Sequence, residues 1–298
     1  MYNYNIKKLS KKATLYTDSI TSLISQNIKK DWRSIMKEFF GWGGYTREPE
    51  GFLSWQHLTF VTSLMIIMAV LAVYFGRKNR HATDMKKNRV LVVAAIMIDS
   101  FEILKIVLRC VQDKDPWAWL YVLPLFLCSI MLIAIPMAAF CKGRIKEACL
   151  DFVMIFGLLG AVLGTYGAGQ NYNAYPVLGF DNVVSGITHS ISGFSALYIG
   201  ISGMASLKKK NIPITFAILF GFAACAMIAN KLLDYNYMFL VRGDGTPYDI
   251  FYNLVGGNPI LYPTIVILLF IIYIAAFYGI YYLIHAHAGR KTMPTKTA

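Results

Sequence analysis

A chain of 298 residues that is 56% hydrophobic, with a mean hydropathy of +0.50, is not balanced like a soluble domain, whose apolar share is about 45–50%. The formal net charge of +13 does not point to nucleic acid, because most Lys and Arg stand in short loops between apolar blocks. Basic residues placed there orient membrane spans and meet anionic head groups.

The first 52 residues carry their own pattern. Ile20, Leu23, Ile24, Ile28, Trp32, Ile35, Met36 and Phe39 recur at helical spacing, with Lys29, Lys30, Arg33 and Lys37 between them. This predicts a basic amphipathic helix lying at the membrane interface, or else packed on the loops of its own bundle. No apolar core of signal-peptide length occurs in the first thirty residues, which predicts no cleavable leader.

Apolar blocks long enough to cross a bilayer follow at about 53–75, 90–109, 118–140, 150–168, 183–205, 212–230 and 259–284. The expected fold class is therefore an all-α membrane protein. It comprises an N-terminal segment (1–52), a seven-transmembrane helical bundle (53–284) and a short basic tail (285–298). Loops and tail alternate cleanly in charge, with fifteen Lys or Arg on one side and three on the other. The positive-inside rule then places the protein in the cell membrane with its C-terminus cytoplasmic and its N-terminus outside. The nine basic residues of the N-terminal segment run against that orientation.

Ionisable groups inside spans are costly and default to a functional role. In this topology Cys128 lies ten residues after Ala118, about 15 Å down the third helix, and His189 lies about 10 Å into the fifth. Glu102 and Lys105, with Asp99 nearer the middle, fall in the outer half of the second. His57 stands near the outer end of the first, and Tyr166 near that of the fourth. Ser185, Ser192, Gly193, Ala196, Gly200 and Gly203 share the side of His189. Gly157, Gly160, Gly164 and Gly167 line the fourth span. Small residues mark close helix approach, so His189 is expected to face the bundle interior. Simpler readings stand beside these: a lone Cys is usually a buried hydrophobe, and Glu102 with Lys105 at i, i+3 suits a neutralised structural pair. Five scattered cysteines without CxxC indicate neither a disulfide framework nor a metal site. The absence of a P-loop or Gly-rich dinucleotide pattern removes support for nucleotide chemistry.

A thiol becomes a nucleophile as the thiolate, and a neighbouring imidazole can take its proton. A Cys–His pair below the head groups would meet the ester linkage of a glycerolipid. The residues that sharpen this reading are Leu123-Pro-Leu-Phe-Leu-Cys128-Ser, Tyr175-Pro-Val, Thr188-His189, Asp234-Tyr-Asn-Tyr-Met-Phe-Leu240, Trp55-Gln-His57 and Glu102-Ile-Leu-Lys105. Together they resemble the motifs of the YwaF family of bacterial integral membrane proteins, over most of residues 50–284. Animal relatives of that family include an acyltransferase that moves acyl chains from phosphatidylcholine onto lyso ether phospholipids with a Cys and a His. More distant relatives are lipid-ester hydrolases that use a Thr and a His. The resemblance places the family Cys on Cys128 and the family His on His189. Phe126 stands where the bacterial motif often carries His.

The implied activity is transfer of an acyl chain from a membrane phospholipid to a lysophospholipid through a Cys thioester, with no cofactor, metal or nucleic acid. His57, Glu102, Lys105, Tyr166 and Asn236 are the expected supporting or substrate-binding residues. Two alternatives remain open at this point. One is a non-catalytic transporter or receptor for a small polar solute, lined by the Asp99–Glu102–Lys105 stripe and Asn230. The other is acylation of a lipoprotein amine by the same chemistry.

Overall fold

The computed structural model describes residues 32–205 and 207–291, with side chains through Ile284. Among these residues all regular structure is helical. Residues 32–40 form α1, followed by α2 (Trp55–Asn79), α3 (Asp84–Asp113), α4 (Met131–Phe140), α5 (Gly143–Tyr166) and α6 (Gly169–Ala174). Then come α7 (Phe180–Ser202), α8 (Ile212–Leu233), α9 (Asp249–Leu254) and α10 (Leu261–Lys291). The expected helical positions Ile20 to Ile28, the tail after Lys291, and the side chains of His285 and His287 lie outside the described residues.

Four of these stretches are long and apolar enough to cross a membrane: Trp55–Asn79, Gly143–Ala174, Lys209–Leu233 and Leu261–Ile284. Helices α3 and α7, of 30 and 23 residues, have the length at 1.5 Å per residue but are more polar. The third expected span, 118–140, is not one helix. It makes a 3-10 turn at Ala118–Tyr121, runs without regular structure to residue 130, and becomes helical only in the ten residues of α4. Pro124 accounts for the break, since proline lacks the N–H a helix needs and disfavours helical backbone at the residue before it. Cys128 consequently stands on a turn just ahead of α4, not ten residues down a helix.

Helix α5 is the centre of the bundle, and the hydropathic window of its stretch is 61% buried where the other three reach 17–22%. Helix α7 packs along it, α2 packs on α7, α4 packs on α5, and α3 packs on both α4 and α7. Lipid tails are as apolar as leucine, so helices here are held by close contact and hydrogen bonds rather than by exclusion from water. The glycines supply the contact. A Cβ on Gly157 would stand 2.8 Å from the Ser192 carbonyl oxygen, and one on Gly193 would stand 2.7 Å from the Ala161 Cβ. Helix α10 joins through a stripe of buried residues four apart, Tyr262, Val266, Phe270, Ile274 and Tyr278. The Tyr273 hydroxyl donates to the Ile155 carbonyl at 2.7 Å.

The unwound segment ahead of Cys128 is pinned by the loop after α8. Asn230 brackets Tyr237, donating to its carbonyl at 3.0 Å while accepting from its backbone N–H. The Tyr237 hydroxyl in turn donates to the Leu120 carbonyl and accepts from the Leu123 N–H. Burial pushes that phenol up to about 12, so it keeps the proton it donates. Phe126 sits in an aromatic cluster with Tyr235, Tyr237 and Phe239, which gives this segment an apolar anchor.

The described part of the basic N-terminal helix is attached by its last turn, where Gln112 of α3 donates to the Phe40 carbonyl. Phe39 and Phe40 of α1 pack on Phe180 at the start of α7, whereas Trp32, Ile35 and Met36 remain exposed. Its last turn therefore rests on the bundle and leaves an apolar edge free.

Replacing Asn230 with Ala orphans both backbone groups of Tyr237 in a buried site. Each such loss costs about 1–3 kcal/mol. The variant is expected to unfold several degrees earlier in a thermal scan in detergent; an unchanged midpoint would contradict this role.

Candidate functional site

Cys128 and His189 come from different elements, 61 residues apart in sequence, and meet over one face of α5. A Cβ added at Gly160 would lie 3.6 Å from the Cα and Cβ of Cys128. One added at Gly164, a helical turn further on, would lie 2.0 Å from Cδ2 and Nε2 of His189. The two glycines thus form a shallow trough that brings the thiol and the imidazole to one face of α5, within electrostatic reach of each other. A Cβ at Gly164 would collide with the ring, whereas one at Gly160 would make ordinary van der Waals contact with Cys128.

The tautomer of His189 follows from its other nitrogen. Nδ1 lies 2.7 Å from the Ser185 carbonyl oxygen, one turn earlier on α7. A carbonyl can only accept, so Nδ1 carries the proton of the neutral ring and Nε2 presents its lone pair. Nε2 is fully buried and makes no well-aligned hydrogen bond. A buried, unpartnered acceptor is free to take a proton, and contacts to such groups commonly tighten only when substrate binds.

Lys105 supplies positive charge that reaches both Cys128 and His189. Its ammonium is 2.6 Å from the Glu102 carboxylate, so the i, i+3 pair expected from the sequence is formed, and it stands at the Cys–His pair. The next cation on the stripe, Arg109, is held 3.0 Å from Asp113 and donates to the Tyr175 hydroxyl. Tyr248, in the loop between α8 and α10, lies within electrostatic reach of Cys128, and burial is the main cause that pushes its phenol up to about 12. Ser129 places its hydroxyl 4.0 Å from the sulfur.

The other expected residues have their polar atoms engaged elsewhere. His57 is completely buried. Its Nδ1 accepts from the Leu53 N–H at 3.1 Å, which leaves Nε2–H to donate to the Thr165 carbonyl at 3.1 Å. The ring also stacks at 3.9 Å on Tyr172. His57 therefore clamps the start of α2 to the end of α5, one residue beyond Gly164. The Tyr166 hydroxyl bonds Thr62 of α2 at 2.8 Å, a second tie between the same helices. Asn236 folds its own loop, donating to the Arg242 carbonyl and the Asp244 carboxylate at 2.7 Å and accepting from the Val241 N–H.

Sequence reasoning had the glycine stripe of α5 as a packing face without assigning Gly160 and Gly164 to the pair. Spacing alone held that signal, since both lie on the face of α5 that also carries Gly157. Tyr237 and Tyr248 were missed, although Tyr237 sits inside the 234–240 motif. Nothing in the sequence marks Tyr248.

If Nε2 is the base for the thiol, small neutral alkylating reagents should modify Cys128 several-fold more slowly in His189→Ala and in Gly164→Ala, with site-resolved mass spectrometry as the readout. Equal rates in all three proteins would remove the coupling.

Comparison with curated proteins and with solved structures gives no significant match. A family model does match, over residues 52–282, a range that contains Cys128, His189, the α5 glycines and both tyrosines. The chain belongs to the TMEM164 family, a family of membrane proteins.

Proposed function

We propose that the protein is a membrane-embedded lipid-ester acyltransferase, with Cys128 as nucleophile and His189 as general base and acid. The observation that carries this is the buried, unpartnered Nε2 of His189, set with Cys128 over the same glycine trough of α5. The resemblance of the Cys128 and His189 motifs to the YwaF family, with its acyltransferase relatives, supports the same reading.

In the first half-reaction Nε2 takes the thiol proton and the sulfur attacks the ester carbonyl carbon of a phospholipid. The tetrahedral intermediate collapses with cleavage of the carbon–oxygen ester bond. The proton on Nε2 passes to the departing lysolipid oxygen, leaving an acyl thioester on Cys128. In the second half-reaction a lysophospholipid hydroxyl gives its proton to Nε2 and its oxygen attacks the thioester carbonyl. The carbon–sulfur bond breaks, and the sulfur recovers the proton. Water in place of the acceptor gives hydrolysis. Thioester exchange of this kind needs no cofactor, because the ester and thioester carbonyls are at the same oxidation level.

Lys105 is assigned to the negative charge of the reaction, either the oxyanion of the intermediate or the lipid phosphate, with Glu102 holding it in place. Fixed charge aimed at developing charge is commonly the largest single contribution to such catalysis. His57, Tyr166 and Asn236 are assigned to positioning, since each spends its polar atoms on α2, α5 or its own loop. In this reading α3, α7 and the broken 118–140 segment complete seven crossings with the four apolar helices, polar because they build the site. The basic loops face the cytoplasm and anionic lipid.

Purified protein in phosphatidylcholine vesicles should transfer a labelled acyl chain to added lysophospholipid. Cys128→Ala should abolish transfer, and His189→Ala should reduce it about 10²–10⁴-fold, the usual contribution of general acid–base catalysis. Undiminished transfer in Cys128→Ala would end the assignment; retention in Cys128→Ser would favour a hydroxyl-tolerant or non-covalent route.

A further inference from the structure

An open apolar groove of about 300 Å³ runs between α4, α5 and α8, walled by Ile133, Ala134 and Met137, by Cys149, and by Gly221 and Cys225. Its place relative to Cys128 can be measured along three elements. On the chain that carries the nucleophile, Ile133 comes five residues after Cys128. On α5, Cys149 precedes Gly160 by eleven residues, about three turns, so both lie on one face roughly 16 Å apart. On α8, Cys225 precedes Asn230 by five residues, and Asn230 anchors the loop that pins the Cys128 segment. All three rulers say that the groove begins near the Cys–His pair and extends away from it along the helices. Its wall at Cys149 thus stands from Gly160 by close to half the ~30 Å hydrocarbon core of a bilayer, the space one leaflet's chains occupy.

We propose that this groove holds the acyl chain of the thioester on Cys128 and sets the chain length that the protein transfers. The inference rests on the acyltransfer reading given above. A carbonyl carbon bonded to the Cys128 sulfur points its chain either into lipid or along α4, and the groove offers an apolar wall in the second direction. Small side chains create the room: Ala134 is buried in the wall, and a Cβ on Gly221 would meet nothing within 4 Å. Gly221 is the natural place to shorten the groove, because a larger side chain there enters open space without striking protein.

The test pairs an activity measurement with a binding measurement. In phosphatidylcholine vesicles, Gly221→Phe should keep its thermal midpoint, which separates a groove effect from misfolding. Its ratio of long-chain to short-chain transfer should fall roughly tenfold or more, the scale on which apolar pockets discriminate size. An unchanged ratio overturns the groove assignment while leaving the acyltransfer reading intact. Separately, Cys128→Ala protein is irradiated with phosphatidylcholine bearing a diazirine near the end of one acyl chain. Labelling concentrated on α4 and α8 groove residues supports a chain seated in the groove, a result read independently of the activity that tests the acyltransfer reading. Labelling spread over the lipid-facing exterior, or a crosslink to a second copy of the chain across the groove, overturns it.

Discussion

Gly164 has no side chain, and the His189 ring occupies the space that one would fill. The site depends on this approach. Helices α5 and α7 are joined through it, through the Gly157–Ser192 contact, and through Gly193, whose missing side chain admits Met68 of α2 and Ala161 of α5. In a lipid environment such packing is a main source of helix association. The substitutions that would loosen the fold here are the same ones that would move the His189 ring. Stability and the proposed chemistry are therefore written into one glycine stripe, and neither can be tuned at Gly164 without the other.

The second constraint is the break at Pro124. An unbroken helix through 118–140 would carry Cys128 on a rod, with its backbone bonded to its own turns. The unwound segment instead gives its backbone groups to Tyr237, and it brings the thiol to Gly160 from the side. Non-helical backbone at this depth is tolerated only where protein buries it, and the Phe126–Tyr235–Tyr237–Phe239 cluster with the Asn230 clamp provides that cover. The aromatic residue at 126 acts as an anchor for the segment. The stripe of charges on α3 fits the same picture. Lys105 and Arg109 are both paired, with Glu102 and Asp113, an arrangement better suited to holding fixed charge than to passing a solute along a path.

Much of this was legible in the amino-acid order. Helices cover six of the seven apolar blocks, because a run of some twenty apolar residues has few other ways to satisfy its backbone in lipid. The motifs pointed to Cys128 and His189 together and the small-residue faces put His189 inside, but the helical depth expected for Cys128 is not where the chain places it. The 118–140 block misled, since hydropathy reports length and apolarity but not where a proline makes the chain let go. His57, Tyr166 and Asn236 stand out in the sequence because each is polar and near a span end. Their partners, the Thr165 carbonyl, the Thr62 hydroxyl and the 241–244 loop, are tertiary contacts that no local pattern announces. Tyr248 was invisible for the same reason.

The central claim is that the Cys128 sulfur becomes acylated, and acyl-enzyme trapping tests it most directly. The purified protein would be incubated with isotope-labelled phosphatidylcholine in the absence of lysolipid acceptor, then digested under acidic conditions and mapped by mass spectrometry. The account predicts a hydroxylamine-sensitive acyl adduct on the peptide containing Cys128 and on none of the other four cysteines, discharged when lysolipid is added. Turnover without any adduct at Cys128, or an adduct carried by a different residue, would contradict it.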